Sequence, residues 1–408
     1  MKECEKLKIG QLIKEYRKKR DMTQETLSII SGVSLSSIEK IESGVTKELS
    51  DSSLKKLSNA LGHNFILEKD FEPNGFTAMG LFCGAGGLDF GFKKAGFDIV
   101  YSNDVMQAAE ETYKYNIGDI EIKDFRDVDK TKLPYADVVL AGIPCQPFSN
   151  AGSRKGINDL RGQLFEEVIK TVDIIKPKIV LFENVRGFLS SKDENGLTMP
   201  ERIRKELDNH GYRLYYKLLN ASDYNVPQNR YRVVMIGVRN DIVGDFEFPE
   251  PIEDKSKLTI GATLNKPLPT DEQVEVWKLS PQSQDLIQHI PEGGSWKNVE
   301  YDLLPDRLKR IRDNMKRYHA PNFYRRFSRE EIMGTVTAAG TPENSGIVHP
   351  VENRRYSVRE IARFQSFPDE FKFLGPSVQQ KYKLIGNAVP VNLGFSLGKA
   401  LREFLNGK

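Results

Sequence analysis

The chain has 408 residues, 39% of them hydrophobic and 29% charged, with a formal net charge of +3. That length suits two or three domains, the balance suits a folded core rather than a disordered chain, and so small a net charge points to no partner by itself. Three cysteines (Cys4, Cys83 and Cys145) at no metal-ligand spacing rule out a disulfide framework and a structural zinc site. No apolar run is long enough to span a membrane, and the polar start from Met1 to Gly10 carries no secretory signal, so a cytoplasmic protein without a metal is expected.

Residues 1–66 are expected to be all-helical, with the compact part at 8–63. Ile9, Leu12, Ile13 and Tyr16 recur at helical spacing. Thr23 is placed to N-cap a helix carrying Leu27, Ile29 and Ile30, and Gly32 supplies a turn. Ser34 opens a further helix through Ile38 and Ile41, and Leu54, Leu57 and Leu61 mark another, closed by Gly62. Helix, glycine turn, helix is the spacing of a helix-turn-helix. The runs Thr23-Gln24-Glu25-Thr26-Leu27, Gly32-Val33-Ser34 and Ser37-Ile38-Glu39-Lys40-Ile41-Glu42-Ser43-Gly44 resemble the phage-repressor family of DNA-binding domains. That resemblance implies base-edge contacts from Leu35, Ser36 and Lys40 and a phosphate contact from Gln24. A helical dimerisation or lid domain is the plainer alternative. The cluster Arg17-Lys18-Lys19-Arg20 is either a phosphate contact or a solvated helix end.

Residues 67–75, ending Glu72-Pro73-Asn74-Gly75, are expected to be a linker. Beyond them strands and helices alternate. Strands are predicted at Phe76–Phe82, Asp98–Asn103, Asp137–Gly142, Ile179–Glu183, Tyr212–Leu219 and Arg232–Val238. The pattern predicts an α/β fold, a mostly parallel, Rossmann-like sheet with helices on both faces.

The first strand ends in Phe82-Cys83-Gly84-Ala85-Gly86-Gly87-Leu88, where glycines let a ligand approach the backbone and the next helix offers free amides. About twenty residues later Asp104 ends the second strand, placed to accept from ribose hydroxyls. Asp124 offers an acceptor for an adenine amino group and Phe125 a ring for stacking. Together these describe a nucleoside pocket, although taken singly Asp104 is equally a capping aspartate and Phe125 a core ring. The turn lacks the third glycine of G-x-G-x-x-G, which disfavours a pyrophosphate ligand and a nicotinamide-linked oxidoreductase.

Cys145, in Gly142-Ile143-Pro144-Cys145-Gln146-Pro147-Phe148-Ser149, stands just past a buried strand, between two prolines that stiffen it. Open α/β sheets place chemistry at that edge, so the thiol is a candidate nucleophile, with a small buried hydrophobe as the alternative. Glu183 ends another apolar strand at the same edge, as a proton donor or a structural ion pair. Gln228, Arg230 and Arg232 alternate in an extended chain and form a donor cluster suited to phosphate or base oxygens, or simply an exposed strand start.

Residues 241–330 lose the strand–helix rhythm. Within them, 305–329 carry nine basic and two acidic residues, interleaved with Tyr318, Phe323, Tyr324 and Phe327. Such a stretch, with Arg325 and Arg326 near its end, suits phosphate contact and base-edge reading; for 305–317 an amphipathic helix with a solvated basic face is the alternative. Helical pattern returns over 331–408, ending through Leu393, Leu397 and Leu401.

Phe82-Cys83-Gly84-Ala85-Gly86-Gly87, Gly142-Ile143-Pro144-Cys145-Gln146, Glu183-Asn184-Val185, Gln228-Asn229-Arg230-Tyr231-Arg232 and Gly386-Asn387-Ala388-Val389-Pro390 occur in this order. The combination resembles the DNA cytosine carbon-5 methyltransferase family over about 76–240 and 325–405. The resemblance implies a fold with a catalytic domain in two parts (76–240 and 331–408) around a smaller target-recognition region (241–330). It implies that Cys145, next to Pro144, attacks carbon 6 of a cytosine flipped out of duplex DNA. Glu183 would hold ring nitrogen 3 and the exocyclic amine, Arg232 would fix the base, and Gln228 and Arg230 would complete the group. S-adenosyl-L-methionine is the implied cofactor and S-adenosyl-L-homocysteine the product. Phe82, Cys83, Gly84, Ala85, Gly86, Gly87 and Leu88 would cradle it, with Asp104, Val105, Asp124 and Phe125 on one side. Gly142, Leu164, Asn387 and Ala388 would close the other. Ser149 would contact DNA and begin a mobile loop reaching Gly162.

Two departures from the family pattern stand out. Gly80 replaces a frequent polar residue, a change expected to matter little. Val105 replaces a frequent aromatic, leaving Phe125 as the expected stacking ring. The reading is therefore a DNA methyltransferase of a type II restriction–modification system, fused to a helix-turn-helix that binds a separate operator and represses its own operon. An RNA cytosine methyltransferase and a DNA-binding regulator with a silent methylase-like body are the rivals.

Overall fold

The computed structural model describes residues 8–407 apart from 47, 144–159, 194–195, 270–272, 316–321, 341–345 and 347; at 8 and 160–162 it describes backbone only. The N-terminal unit has α1 (Lys8–Lys19), α2 (Gln24–Ser31), α3 (Leu35–Glu42), α4 (Asp51–Leu61) and the short α5 (Phe65–Glu68). Thr23 and Ser34 each accept a first-turn N–H, and Gly32 and Gly62 close α2 and α4 in the left-handed region, as the sequence predicts; Ser50 caps α4 in the same way as Thr23 and Ser34. Ile13, Leu27, Ile38, Ile41, Leu54, Leu57, Leu61 and Phe65 fill one core.

The larger unit is a seven-stranded sheet in the order β3-β2-β1-β4-β5-β7-β6. Its strands are β1 (Thr77–Leu81), β2 (Asp98–Asp104), β3 (Glu121–Ile122), β4 (Val138–Ala141), β5 (Ile179–Val185), β6 (Tyr212–Asn220) and β7 (Tyr231–Arg239). All neighbours from β3 to β5 pair in parallel, and β7 runs antiparallel between β5 and β6. The helices α6 (Gly87–Lys94), α7 (Gln107–Asn116), α8 (Leu160–Ile175) and α9 (Met199–Asn209) follow β1, β2, β4 and β5. One face buries Met79, Val139, Val180 and Met235 with Phe165 and Ile203; the other buries Ala78, Leu140, Leu181 and Ile236 with Phe92 and Leu397. Continuous apolar strands of this kind need both faces covered. Strand order reverses between β1 and β4, so the carboxyl ends of those two strands frame the crevice where such sheets bind ligands.

The stretch expected to be irregular holds short helices at Ile260–Leu264, Pro281–Ile287 and Asp306–Asp313. A small core of its own gathers Leu286, Trp296, Leu308, Phe323 and Tyr324, and it includes Val348, so this unit draws on chain beyond 330.

The expected linker is a joint. Phe65 belongs to the N-terminal core, and Asn74 N–H donates to Gly96 O at 2.8 Å. Asn64 N–H donates to Tyr115 O at 2.6 Å, and its amide reaches Asn116 Oδ1 at 3.2 Å and Glu370 O at 2.7 Å. Glu68 accepts from His63 at 2.9 Å and from Lys93 of α6 at 2.5 Å. Burial alone would raise the Glu68 carboxyl; Lys93 and His63 outweigh it and hold the group below its ordinary value. His63, Asn64 and Asn116 are buried, so the helical unit is seated on the sheet unit through satisfied polar groups.

Candidate active site

The sequence places a glycine-rich turn after β1, and the structure shows what that turn demands. Phe82 takes φ +61°, a conformation a bulky residue adopts only when its surroundings impose it. Gly84 N–H donates to Asp104 Oδ2 at 2.7 Å, and Asp104 Oδ1 accepts from Met106 N–H at 2.7 Å. One carboxylate thus ties the turn to the start of α7. Burial pushes the Asp104 carboxyl above its ordinary range, against the backbone bonds that favour its charge. A Cβ at Gly86 would meet the Tyr113 ring at 2.7 Å, and one at Gly87 would lie 2.1 Å from Val389 O. The second contact seats Asn387-Ala388-Val389, some three hundred residues away in sequence, on the turn. Ala85, Leu88 and Ala388 are buried there, whereas Asn387 is exposed.

Gly80 matters more than expected. A Cβ there would fall 2.1 Å from Asp89 Oδ2 and 2.7 Å from Cys83 Sγ, so glycine makes room for a carboxyl from α6. Tyr113 OH donates to Asp89 at 2.6 Å and is itself 2.6 Å from Ser102 Oγ. Burial raises the Asp89 carboxyl and the Cys83 thiol alike. Sequence reading missed this group; its only signal was a lone carboxylate in the apolar run Gly87–Phe92.

Phe125 corrects another expectation. Only 2% of it is exposed, and its ring lies edge-on to Phe82 with centroids 5.7 Å apart. It is a core ring with no face left to stack on, and the half-buried ring at the pocket is Phe82. Val105 is 68% exposed beside Asp104. Asp124 is gripped by Arg126, at 2.9 Å from Nε and 2.5 Å from Nη2, which draws its carboxyl down to about 2. Arg126 also reaches Gln163 of α8 at 3.1 Å. Leu164 packs on the core beneath, and Gly142 N–H donates to Leu81 O at 3.3 Å, joining the ends of β4 and β1.

Pro144, Cys145 and Ser149 lie outside the described residues. The chain entering that segment is anchored: Asn184 Nδ2 donates to Ile143 O at 3.4 Å. Ile143, two residues before the thiol, is therefore held beside the end of β5, where Glu183 stands. Glu183 and Arg232 form an ion pair at 2.6 Å, both side chains about one-tenth exposed. The register explains it, since Glu183 faces Val234 across β5 and β7, and Arg232 lies two residues along on the same face.

The expected donor cluster of Gln228, Arg230 and Arg232 does not form. Gln228 is fully buried; it donates to Phe364 O and Gln365 Oε1 and accepts from Val336 N–H. Arg230, 2% exposed, donates to Val336 O at 2.6 Å and Gly386 O at 2.9 Å. Both clamp the C-terminal part onto the sheet, because buried carbonyls of the distant segment need donors. Arg326 is likewise no DNA contact here: it is buried and donates to His349 O, Glu352 O, Ile287 O and Asn353 Oδ1. Arg325 pairs with Glu331 and covers the Phe327 ring, while Phe323, Tyr324 and Phe327 are buried. Tyr318 is outside the described residues. The exposed basic side chains of that stretch include Arg307 and Arg310 on the helix Asp306–Asp313.

In the helical unit, Ser36 and Lys40 are exposed on α3 and Leu35 is half-buried. Gln24 donates to Glu42 at 2.9 Å, and the buried Arg17 grips the same carboxylate at 2.6 and 2.7 Å. The basic cluster is thereby split: Arg17 is structural, and Lys19 pairs with Asp119 of the sheet unit at 3.3 Å. No described helix is long and apolar enough to cross a membrane.

Residues 76–403 match the family described as C-5 cytosine-specific DNA methylase, and residues 13–63 match a helix-turn-helix family. The chain is 36% identical over 355 residues to the type II methyltransferase M.FnuDI of Fusobacterium nucleatum, covering 81% of this chain and 95% of the relative. It is 32% identical to M.HhaI of Haemophilus parahaemolyticus, covering 82% and 97%. Among solved structures, S. pombe Dnmt2 methyltransferase superimposes with a TM-score of 0.56 at 20% identity, covering 81% of this chain and 99% of that one, a likeness of fold. The sheet, the glycine turn with Asp104, and the Glu183–Arg232 pair thus sit in a chain that belongs to the C-5 cytosine-specific DNA methylase family and carries an N-terminal helix-turn-helix.

Proposed function

We propose that the chain methylates carbon 5 of a cytosine in a short duplex DNA sequence, as the modification enzyme of a type II restriction–modification system. The observation that carries this is the juxtaposition of Ile143 with the end of β5. It holds the approach to Cys145 beside Glu183 and Arg232, next to the β1–β4 crevice.

The pocket suits S-adenosyl-L-methionine. Asp104 offers an acceptor for ribose hydroxyls, Gly84 leaves the backbone open, and Phe82 presents a ring. Asp124 keeps lone pairs for an adenine amino group although Arg126 holds it. When bound, the cofactor supplies an electrophilic methyl group. Cytosine carbon 5 is too weak a nucleophile to take it unaided. The Cys145 thiolate adds to carbon 6, Glu183 bonds ring nitrogen 3 and the exocyclic amine, and electron density moves to carbon 5. Once carbon 5 is methylated, a general base takes its proton, and the electron pair left behind re-forms the ring double bond and expels the Cys145 thiolate from carbon 6, freeing the product. Arg232 orients Glu183 and meets the base oxygen. The target atom is unreachable within a stacked duplex, so the base must be everted.

We assign 241–330 to target recognition, with Arg307 and Arg310 as phosphate contacts. Ser36 and Lys40 of α3, both exposed, would enter a major groove at a separate operator, where binding would repress the system's own genes. The test is a covalent trap. DNA carrying 5-fluorocytosine at the target should give a stable adduct with the native chain and none with Cys145→Ala, which should still bind cofactor. DNA binding without adduct in the native chain would favour a regulator with a silent body. Bisulfite sequencing of a host expressing the protein identifies the modified cytosine.

A further inference from the structure

The segment between Asp124 and Lys130 carries a charge that the proposed chemistry does not use. Lys130 is buried, 8% exposed. Its ammonium donates to Phe125 O at 2.5 Å, lies 4.7 Å from the centre of the Phe125 ring, and pairs with Glu167 of α8 at 2.5 Å. Glu167 is held from its other side by Lys170 at 2.7 Å. One turn earlier on α8, Gln163 receives Arg126. Two residues at i and i+4 on one helix thus grip the turn that presents Asp124 and backs Phe82.

Stability alone does not explain a buried lysine here. A buried ion pair gains little over an apolar residue of the same volume, because desolvating two charges cancels most of their attraction. What the pair adds is direction. An ammonium fixed by a carbonyl, a carboxylate and a ring face allows the turn one orientation on α8. That helix begins at Leu160, at the end of the segment that contains Cys145.

We propose that Lys130 is a positioning residue for cofactor binding: with Glu167 it locks the Asp124–Phe125 turn onto α8 and so joins the adenosyl side of the pocket to the helix that follows the catalytic loop. This rests on the methyltransferase reading above.

The test compares Lys130→Met, Lys130→Arg and Glu167→Gln with the native enzyme, using S-adenosyl-L-methionine binding at equilibrium and steady-state methylation of duplex DNA. Lys130→Met and Glu167→Gln should each weaken cofactor binding about tenfold, the scale of a modest coupling between sites. KM for DNA should stay within about twofold, and Lys130→Arg should recover most of the loss. Unchanged cofactor binding in Lys130→Met overturns the proposal. So does an equal loss of cofactor and DNA binding together with a lower melting temperature, which would make the pair a brace of the whole unit. A native enzyme that neither binds the cofactor nor methylates DNA would instead refute the underlying reading.

Discussion

Arg232 Nε lies 2.6 Å from Glu183 Oε1 across two antiparallel strands, and both side chains are almost out of water. The carboxylate is therefore oriented before any substrate arrives, which is what an acid–base group at a crowded site requires. Arg232→Met should lower the single-turnover methylation rate by about 10²-fold, the usual scale for general acid–base assistance. Cofactor affinity should stay unchanged. Glu183→Ala should cut turnover at least as far while DNA affinity, measured by gel shift, changes little. A near-native rate in either variant would remove that residue from the mechanism.

Asp104 is a carboxyl whose burial raises its folded-state pKa. Only the ionised form is a full acceptor for two ribose hydroxyls. As pH falls through that raised value the group takes up a proton, so cofactor affinity should decline at a higher pH than an ordinary aspartate would give. Binding titrations across the acidic range check this. Asp104→Asn should bind weakly and flatten the profile, and an unaltered profile would exclude Asp104 as the titrating group.

Arg326 and Arg325 are neighbours with opposite tasks. Arg326→Met removes the donor shared by several buried carbonyls and should cost about 3 kcal/mol of stability, seen as a lower denaturant midpoint. Arg325→Met, at a half-exposed position, should cost under about 1 kcal/mol. Equal losses would contradict the assignment of Arg326 as the clamp.

The joint between the helical unit and the sheet should make the two unfold together. Calorimetry of the native chain should give one transition. The pair Asn64→Ala and Glu68→Gln should split off an earlier one, since it removes the Asn64 side-chain bonds to Asn116 and Glu370 and the charge that pairs with Lys93. Glu68 has a depressed carboxyl, so its contribution is present above its unfolded pKa and lost as pH falls through the lower folded value. The native chain should therefore acquire the split transition in acid. A split at neutral pH would show that the joint does not hold.

Local patterns were legible in the chain. Caps at Thr23 and Ser34, the turn at Gly32, and the six predicted strands depend on neighbours within a few residues, and the structure places them within a residue or two. The glycine turn, Asp104 at the end of β2, and Glu183 at the end of β5 were also readable, because a strand's carboxyl edge follows from the strand itself. Side-chain destinations were not. Gln228, Arg230 and Arg326 look like surface donors in sequence, yet each is drawn inward by carbonyls of chain twenty to more than one hundred and fifty residues away. Phe125 was expected to face a ligand and faces the core, and Gly80 gained its meaning only from Asp89 across the β1–α6 packing. Composition and periodicity fix which residues seek burial; only the tertiary fold decides which unpaired polar group each of them meets there, because those partners are brought close by chain connectivity in three dimensions and not by spacing in sequence.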